Sequence, residues 1–326
     1  MTASSYMLEK RNINNLFYCR TPLQTKIASK LIDRFGEDHF IIYHPAGSGQ
    51  KHHHYFNSIP SKKKIFLKYY NISKLNFFLD FATFFVLPRH LRKNKYNNFY
   101  FASLGHPLVA LLEKRVINKK LNLFDDGTFN IDPVFFYKFL RNESRLSVII
   151  RKLLNLKTPI EIKDSIHNHF SIYPQDYTKW MDCNYFRVQL FEMQNLSSNK
   201  KISILFGSTD DLGDQRLHNL AQSKNFDLFI PHPDSSMEMS LNNNGFDELS
   251  TINFSQLIGE DIILSLIQLG FKPSVYALAS SILLNLHPAV NVYCLCSDKL
   301  GADHDAMTLL MQSYGIPQIN LANYDF

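Results

Sequence analysis

KISILFGSTD, residues 201–210, and FDLFIPHP, residues 226–233, are two copies of one pattern: a short apolar run that ends in polar residues. The runs have the length and β-branched character of covered strands. Between them Leu212, Leu217, Leu220 and Ala221 recur at helical spacing, so the unit reads strand, loop, helix, strand. In such a unit the two strands are parallel, and Gly207-Ser208-Thr209-Asp210 and Pro231-His232-Pro233 leave the same rim of the sheet. Open α/β sheets bind ligands beyond the carboxyl ends of their strands. A carboxylate and an imidazole at that rim can take up and supply a proton at neutral pH. The plainer reading is that Gly-Ser-Thr-Asp is a turn and helix cap whose Asp satisfies backbone N–H groups.

A third element of the same kind, FDDGT at residues 124–128, follows the apolar run Lys120–Phe124 in the other half of the chain. In this order and spacing FDDGT, GSTD and PHP resemble the bacterial sialyltransferases of the lipooligosaccharide type, glycosyltransferase family 52. Thr21-Pro22-Leu23-Gln24, Gly259-Glu260-Asp261-Ile262-Ile263-Leu264 and Ser280-Ser281 add to the resemblance, which runs from about Asn15 to the C-terminus.

The resemblance implies a GT-B architecture, two Rossmann-like domains facing a cleft. It also implies an inverting transfer of sialic acid from CMP-sialic acid to a terminal galactose of a lipooligosaccharide or related glycan. On the family's motifs Asp210 is the general base, and His232 donates to the departing phosphate as acid or electrostatic partner. Gly207, Ser208 and Pro231 stand beside them on the donor side. Glu260 matches the position that holds ribose, against the alternative of an acidic residue in the first turn of a helix. Ser280 and Ser281 match the phosphate-binding pair; the second departs from the family, where glycine is common. Thr21 and Gln24 fall on the acceptor side.

Asp125 and Asp126 compete for the role of base, because other bacterial sialyltransferase families credit an Asp of a D-D-G or D-E-G motif with it. A metal-binding D-x-D reading of the pair is set aside: a monophosphate leaving group needs no divalent clamp, and the intervening residue is missing. The expectation is therefore no metal and no cofactor, with the CMP-sugar as donor substrate. The family includes dimers, so the resemblance leaves a homodimer open. Two alternatives stay open: a hexosyltransferase using a nucleotide diphosphate sugar, and a catalytically idle sugar-binding protein on the same fold.

The 326 residues, 45% apolar and 20% charged, are enough for two domains with proper cores and are the composition of a soluble globular protein. Apolar clusters such as Phe77–Leu87 are broken by Asp80 and Thr83 and fall short of the roughly 20 residues that span a bilayer. The opening MTASSYMLEKRN lacks an apolar core after its charges, so a cytoplasmic protein is expected, with peripheral contact to the membrane. Cys19, Cys183, Cys294 and Cys296 have no zinc spacing and read as buried thiols.

Charge is unevenly divided. Residues 1–196 carry 29 Lys+Arg against 15 Asp+Glu, net +14, whereas residues 197–326 carry 6 against 14, net −8. The division suggests two domains with different partners, 1–196 on the acceptor side and 197–326 on the CMP-sugar side, separated at the polar Ser197-Ser198-Asn199-Lys200. Basic clusters at Lys62–Lys64 and Arg89–Lys95 suit anionic lipid or the phosphates of a glycolipid core. Nucleic acid is not expected, since no helix-turn-helix, zinc-finger or RNA-recognition signature accompanies the charge.

Along the chain, strands are expected at Ile13–Tyr18, His39–Tyr43, Ile65–Tyr69, Asn98–Ala102 and Lys120–Phe124, then at Ile202–Phe206, Phe226–Ile230, Ser274–Leu278, Val290–Leu295 and Ile316–Leu321. Thr21-Pro22 caps a helix to Phe35 whose inner face is Leu23, Ile27, Ala28, Leu31, Ile32 and Phe35. Further helices are expected at Ser73–Leu91, Pro107–Arg115, Phe135–Leu140, Leu146–Leu156, Leu212–Ser223, Gly259–Leu269 and Asp303–Tyr314. Gly47-Ser48-Gly49 lacks a third glycine and makes a poor dinucleotide fingerprint, and His52-His53-His54 reads as loop rather than metal site.

Overall fold

The computed structural model describes residues 14–35, 38–47, 49–68, 82, 85, 87, 91, 95–125, 133, 137, 145–174, 180–190, 200–207, 220, 226–230, 240, 241, 249, 251–287, 289–297 and 302–324. The chain divides into two compact units, Met1–Leu190 and Phe191–Phe326. The expected helices at 73–91, 135–140 and 212–223 fall almost wholly outside the described residues.

The first unit is built on a seven-stranded sheet from β1 (Asn15–Cys19), β2 (His39–Tyr43), β3 (Lys64–Phe66), β4 (Tyr96–Phe101), β5 (Val116–Phe124), β6 (Ile166–Ser171) and β7 (Asn184–Arg187). Its order is β3-β2-β1-β4-β5-β6-β7 and every pairing is parallel. That is the Rossmann order extended by one strand, and it reverses between β1 and β4. All of β1 is buried, as the apolar run NLFYC requires of a central strand covered on both faces. The core gathers Leu16, Tyr18, Ile42, Phe99, Phe101, Leu108, Leu121 and Leu123.

Helices α1 (Pro22–Phe35), α2 (Gln50–Ser58), α3 (Pro107–Glu113), α4 (Arg145–Leu153) and α5 (Pro159–Lys163) lie between these strands in the chain. In α1, Thr21 Oγ1 accepts the Gln24 N–H at 3.3 Å and Pro22 opens the helix. The buried face of α1 is rotated from the expected one: Gln24 and Thr25 are enclosed, Leu23 is half-buried and Phe35 is 41% exposed. The polar pair goes inward because both side chains find partners there, Gln24 in the loops after β1 and β4 and Thr25 on the Thr21 carbonyl.

His52, His53 and His54 lie in α2, not in a loop. A helix turns neighbouring histidines about 100° apart, so they diverge: His52 Nδ1 meets Tyr43 OH at 2.6 Å and His53 stacks on Phe66. The Lys62–Lys64 cluster is partly committed. Lys64 Nζ donates to the carbonyls of Phe56, Asn57 and Ile59 at the end of α2, and Lys63 pairs with Asp38 at 3.4 Å. Strands β6 and β7 were not legible in the sequence, because IHNHFS and NYFR lack a continuous apolar run. Helix α5 was missed too, although Thr158 and Glu161 form a capping box around Pro159.

The second unit has a six-stranded sheet from β8 (Lys200–Phe206), β9 (Leu228–Ile230), β10 (Ser240–Leu241), β11 (Phe271–Leu278), β12 (Asn291–Cys296) and β13 (Gln318–Asn320). The order is β10-β9-β8-β11-β12-β13, parallel except for β10 at its edge. Helices α6 (Gly259–Gln268), α7 (Ser281–Leu286) and α8 (Ala302–Ser313) connect it. The six-residue α7 was hidden inside an apolar stretch that continues straight from β11. Cys19 and Cys294 are buried thiols, as expected, while Cys183 and Cys296 are half-buried; all four are free.

Candidate active site

In the second unit the sequence motifs converge on one rim. Parallel pairing sets Phe206 beside Ile230 on one side and Ala277 on the other, so the segments after β8, β9 and β11 all leave the same edge. The order reverses between β8 and β11, which is where an α/β sheet opens a crevice. Gly207, the first residue of GSTD, donates its backbone N–H to Ile230 O at 2.8 Å and so ties that motif to the strand before PHP.

Helix α6 enters this rim at Gly259. A Cβ there would lie 2.2 Å from Ile282 Cδ1 and 2.8 Å from Phe206 Cε1, so only glycine lets the helix start come this close to β8 and α7. The next residue, Glu260, is buried at 7% exposure, and its Oε1 accepts from Asn285 Nδ2 at 2.7 Å. Ser280 is the N-cap of α7 in extended conformation, yet its hydroxyl does not cap the helix; Ser280 and Ser281 are both half-buried. The approach of Gly259 to Phe206 and Ile282, with the Glu260–Asn285 bond, thus packs the start of α6 against the end of β8 and the start of α7, the segments that carry Gly207, Glu260, Ser280 and Ser281. Ser208 and Asp210, with Pro231 and His232, lie outside the described residues.

The rim of the first unit carries the remaining candidates. Asp125 ends β5 with no exposed surface. Its Oδ1 lies 2.7 Å from His169 Nε2, and its Oδ2 accepts from Ser171 Oγ at 2.8 Å and from the Ile172 N–H at 2.6 Å. Both oxygens are occupied in stitching β5 to β6. Asp126 lies outside the described residues. Thr21 is spent on the cap of α1, and Gln24 is enclosed: Oε1 accepts the Arg20 N–H at 2.6 Å and Nε2 donates to Ser103 Oγ at 3.4 Å.

Beside them, Tyr18 OH lies 3.0 Å from His106 Nδ1 and 3.2 Å from His44 Nδ1. His106 Nδ1 also accepts the Leu108 N–H at 3.2 Å, so that nitrogen is the unprotonated one and Tyr18 donates to it. Burial, reinforced by the fields of Arg20 and Arg151, pushes the His106 pKa well below its ordinary value and keeps the ring neutral. Asn285, Arg20, His106 and His169 were missed as contributors, and Gly259 was read as part of a motif without its packing role. The one signal for Asn285 was a lone amide inside an apolar helical run.

Two successive units of parallel α/β structure, with the candidate residues at the carboxyl ends of their strands, define a GT-B-type glycosyltransferase fold. The crystal structure of TcCGT1 in complex with UDP has the same fold: TM-score 0.52 at 11% identity, covering 94% of this chain and 85% of that one. The chain belongs to glycosyltransferase family 52, whose model matches residues 36–296. It is similar to the N-acetyllactosaminide alpha-2,3-sialyltransferase of Neisseria meningitidis serogroup A, serotype 4A: 25% identical over 333 residues, 95% of this chain and 86% of that protein. It is also similar to the CMP-N-acetylneuraminate:beta-galactoside alpha-2,3-sialyltransferase of Pasteurella multocida: 26% identical over 328 residues, 94% of this chain and 99% of that protein.

Proposed function

We propose that this protein is a sialyltransferase that moves sialic acid from CMP-sialic acid to a galactoside with inversion at the anomeric carbon. The observation that carries the reading is the convergence at the second sheet's switch point. In this reading the buried Glu260 carboxylate accepts ribose hydroxyls, and Ser280 and Ser281 meet the phosphate with hydroxyls and N–H groups. Both α-2,3-sialyltransferase relatives match along nearly the whole chain, which favours this donor over a nucleotide diphosphate sugar and an enzyme over an idle binding protein.

The chemistry asks little covalent help of the protein. CMP departs as a stable anion, and the sugar develops oxocarbenium character, so positioning, acceptor deprotonation and phosphate stabilisation carry the rate. In this proposal Asp210 takes the acceptor proton and His232 donates to the phosphate. Asp125, with both oxygens engaged, serves to hold the end of β5, which leaves Asp126 as the rival base within FDDGT. No metal enters the proposal. Transfer is expected to persist in excess chelator, and a loss restored by magnesium or manganese points instead to a nucleotide diphosphate donor.

The acceptor is proposed to be a lipooligosaccharide or related glycan, met at the cytoplasmic face of the membrane, by a protein that acts as a homodimer. Among the described residues no helix is long and apolar enough to cross a membrane. The deciding experiment incubates the protein with a panel of nucleotide sugars and lactose. Sialyl-lactose from CMP-sialic acid is the expected product, and a hexosyl product overturns the reading.

A further inference from the structure

The loops after β1 and β4 meet where the first sheet reverses its order. Gln24 braces that junction: one end of its amide holds the Arg20 backbone and the other reaches Ser103 in the loop after β4. Arg20 also lends its carbonyl to the Ala46 N–H at 3.0 Å, so its main chain is fixed from two sides. Among the described residues nothing similarly holds the guanidinium. Arg20 is half-buried, its Nε is shut off from solvent without a hydrogen-bond partner, and no ion pair to it exists among the described residues.

The other described charges at this rim are spent. Arg151, whose field also reaches His106, donates to the carbonyls of Gly105 at 2.9 Å and Lys157 at 3.1 Å. Asp125 is saturated by His169, Ser171 and Ile172. His106 is a neutral acceptor for Tyr18 and Leu108. A partly desolvated guanidinium with an enclosed, unmatched donor is costly in the unliganded protein, and a planar oxyanion is the group that its fork fits. The fourteen-residue α1 opens two residues further on, and its N-terminal dipole adds positive potential at the same spot.

We infer that Arg20 recognises an oxyanion on the substrate, a carboxylate or a phosphate, at the switch point of the first sheet. Resting on the sialyl-transfer reading, the two sources are the carboxylate of the sugar acid in the donor and a phosphate on a glycolipid acceptor. Toward a glycolipid phosphate, which is not bonded to the reacting carbon, Arg20 acts on affinity; toward the sugar acid's carboxylate, which is bonded to that carbon, it also bears on the charge that develops there.

The test compares the full-length protein with Arg20→Gln and Arg20→Lys. Thermal stabilisation is titrated with free N-acetylneuraminate, its methyl ester and inorganic phosphate. KM is then measured for CMP-sialic acid with lactose, and for phosphorylated lipooligosaccharide. The expected result is that one anion stabilises the wild type and not R20Q, with the KM of the matching substrate raised about ten- to hundredfold, and with kcat nearly constant where that substrate is the phosphorylated acceptor. Loss of the neuraminate effect, with the methyl ester inert on both proteins, assigns the carboxylate. Loss of the phosphate effect, with lactose kinetics unchanged, assigns the acceptor. Equal stabilisation of wild type and R20Q, or none of the wild type, overturns the inference. A wild type that transfers no sialic acid refutes the proposed function, while the anion titrations still decide Arg20. If R20Q does not fold, R20K decides: a severalfold weaker anion response supports the site, and a response equal to the wild type overturns it.

Discussion

Asn285 donates its side-chain N–H to Glu260 across 2.7 Å and thereby locks the first turn of α6 to the short helix α7. The bond fixes which way a buried carboxylate faces, and a ribose-binding group depends on that orientation. Asn285→Leu is expected to weaken CMP binding about tenfold, the worth of one hydrogen bond to a charged group, and Glu260→Gln by at least as much. Calorimetric titration with CMP checks both. Unchanged affinity in the two variants removes Glu260 from the nucleotide site.

Gly259 tests whether that rim is as crowded as its distances say. Gly259→Ala places a methyl group against Phe206 and Ile282, and overpacking of this kind costs about 1–3 kcal/mol. Trimming the obstacle in the double variant with Ile282→Ala is expected to recover part of the loss. Denaturant unfolding of the two variants makes the comparison, and a Gly259→Ala protein as stable as the wild type refutes the close approach.

The aspartates separate by the kind of damage each substitution does. Asp125→Asn trades an oxygen that accepts for an amide that donates inside a buried network of three donors, so it is expected to lower stability by about 1–3 kcal/mol, the cost of leaving a buried donor unsatisfied. Asp210→Asn is expected to cut turnover by about two to four orders of magnitude at unchanged melting temperature. Melting curves and initial rates on the same preparations read this out. An active Asp210→Asn alongside a stable but inactive Asp126→Asn transfers the base to FDDGT.

His106 gives the protein a stability that depends on pH. The folded-state pKa lies well below the ordinary value of 6.5, so the folded protein binds fewer protons than the unfolded chain once the pH drops beneath 6.5. The contribution is complete above that point and is lost as pH falls toward the folded pKa, by up to about 1.4 kcal/mol per pH unit. His106→Asn, which keeps an acceptor for the Leu108 N–H, is expected to be less stable at pH 7 but to lose less between pH 7 and pH 5. Unfolding curves at the two pH values measure this, and equal losses in both proteins rule out His106 as the source. Tyr18, His44, Arg20 and Arg151 surround the ring, and all four are unchanged in the comparison.

Much was fixed locally and could be read from residues alone. His39–Tyr43 matches its strand to the residue, because four consecutive apolar and aromatic residues behind His39, bounded by polar neighbours, allow little else. Thr21-Pro22 sets the start of α1 for the same reason, since the cap and the proline act within one turn. The family motifs were legible as short strings at strand ends, and parallel α/β topology then sends the segments after β8, β9 and β11 to one edge.

Only tertiary structure decided which polar side chains are structural. Gln24 belongs to an acceptor-side motif in the sequence, yet it is enclosed and spent on Arg20 and Ser103, a partner 79 positions away. Asp125 reads as a catalytic candidate until β6, some forty residues on, supplies His169 and Ser171 to saturate it. Asn285 carries no motif signal of its own and Gly259 only its place in the family string, because what each does lies in contacts with Glu260, Phe206 and Ile282 that close only on folding. Periodicity and caps are short-range and survive in one dimension. Hydrogen-bond satisfaction is a count of partners brought together from distant parts of the chain, and that count exists only once the strands are in register.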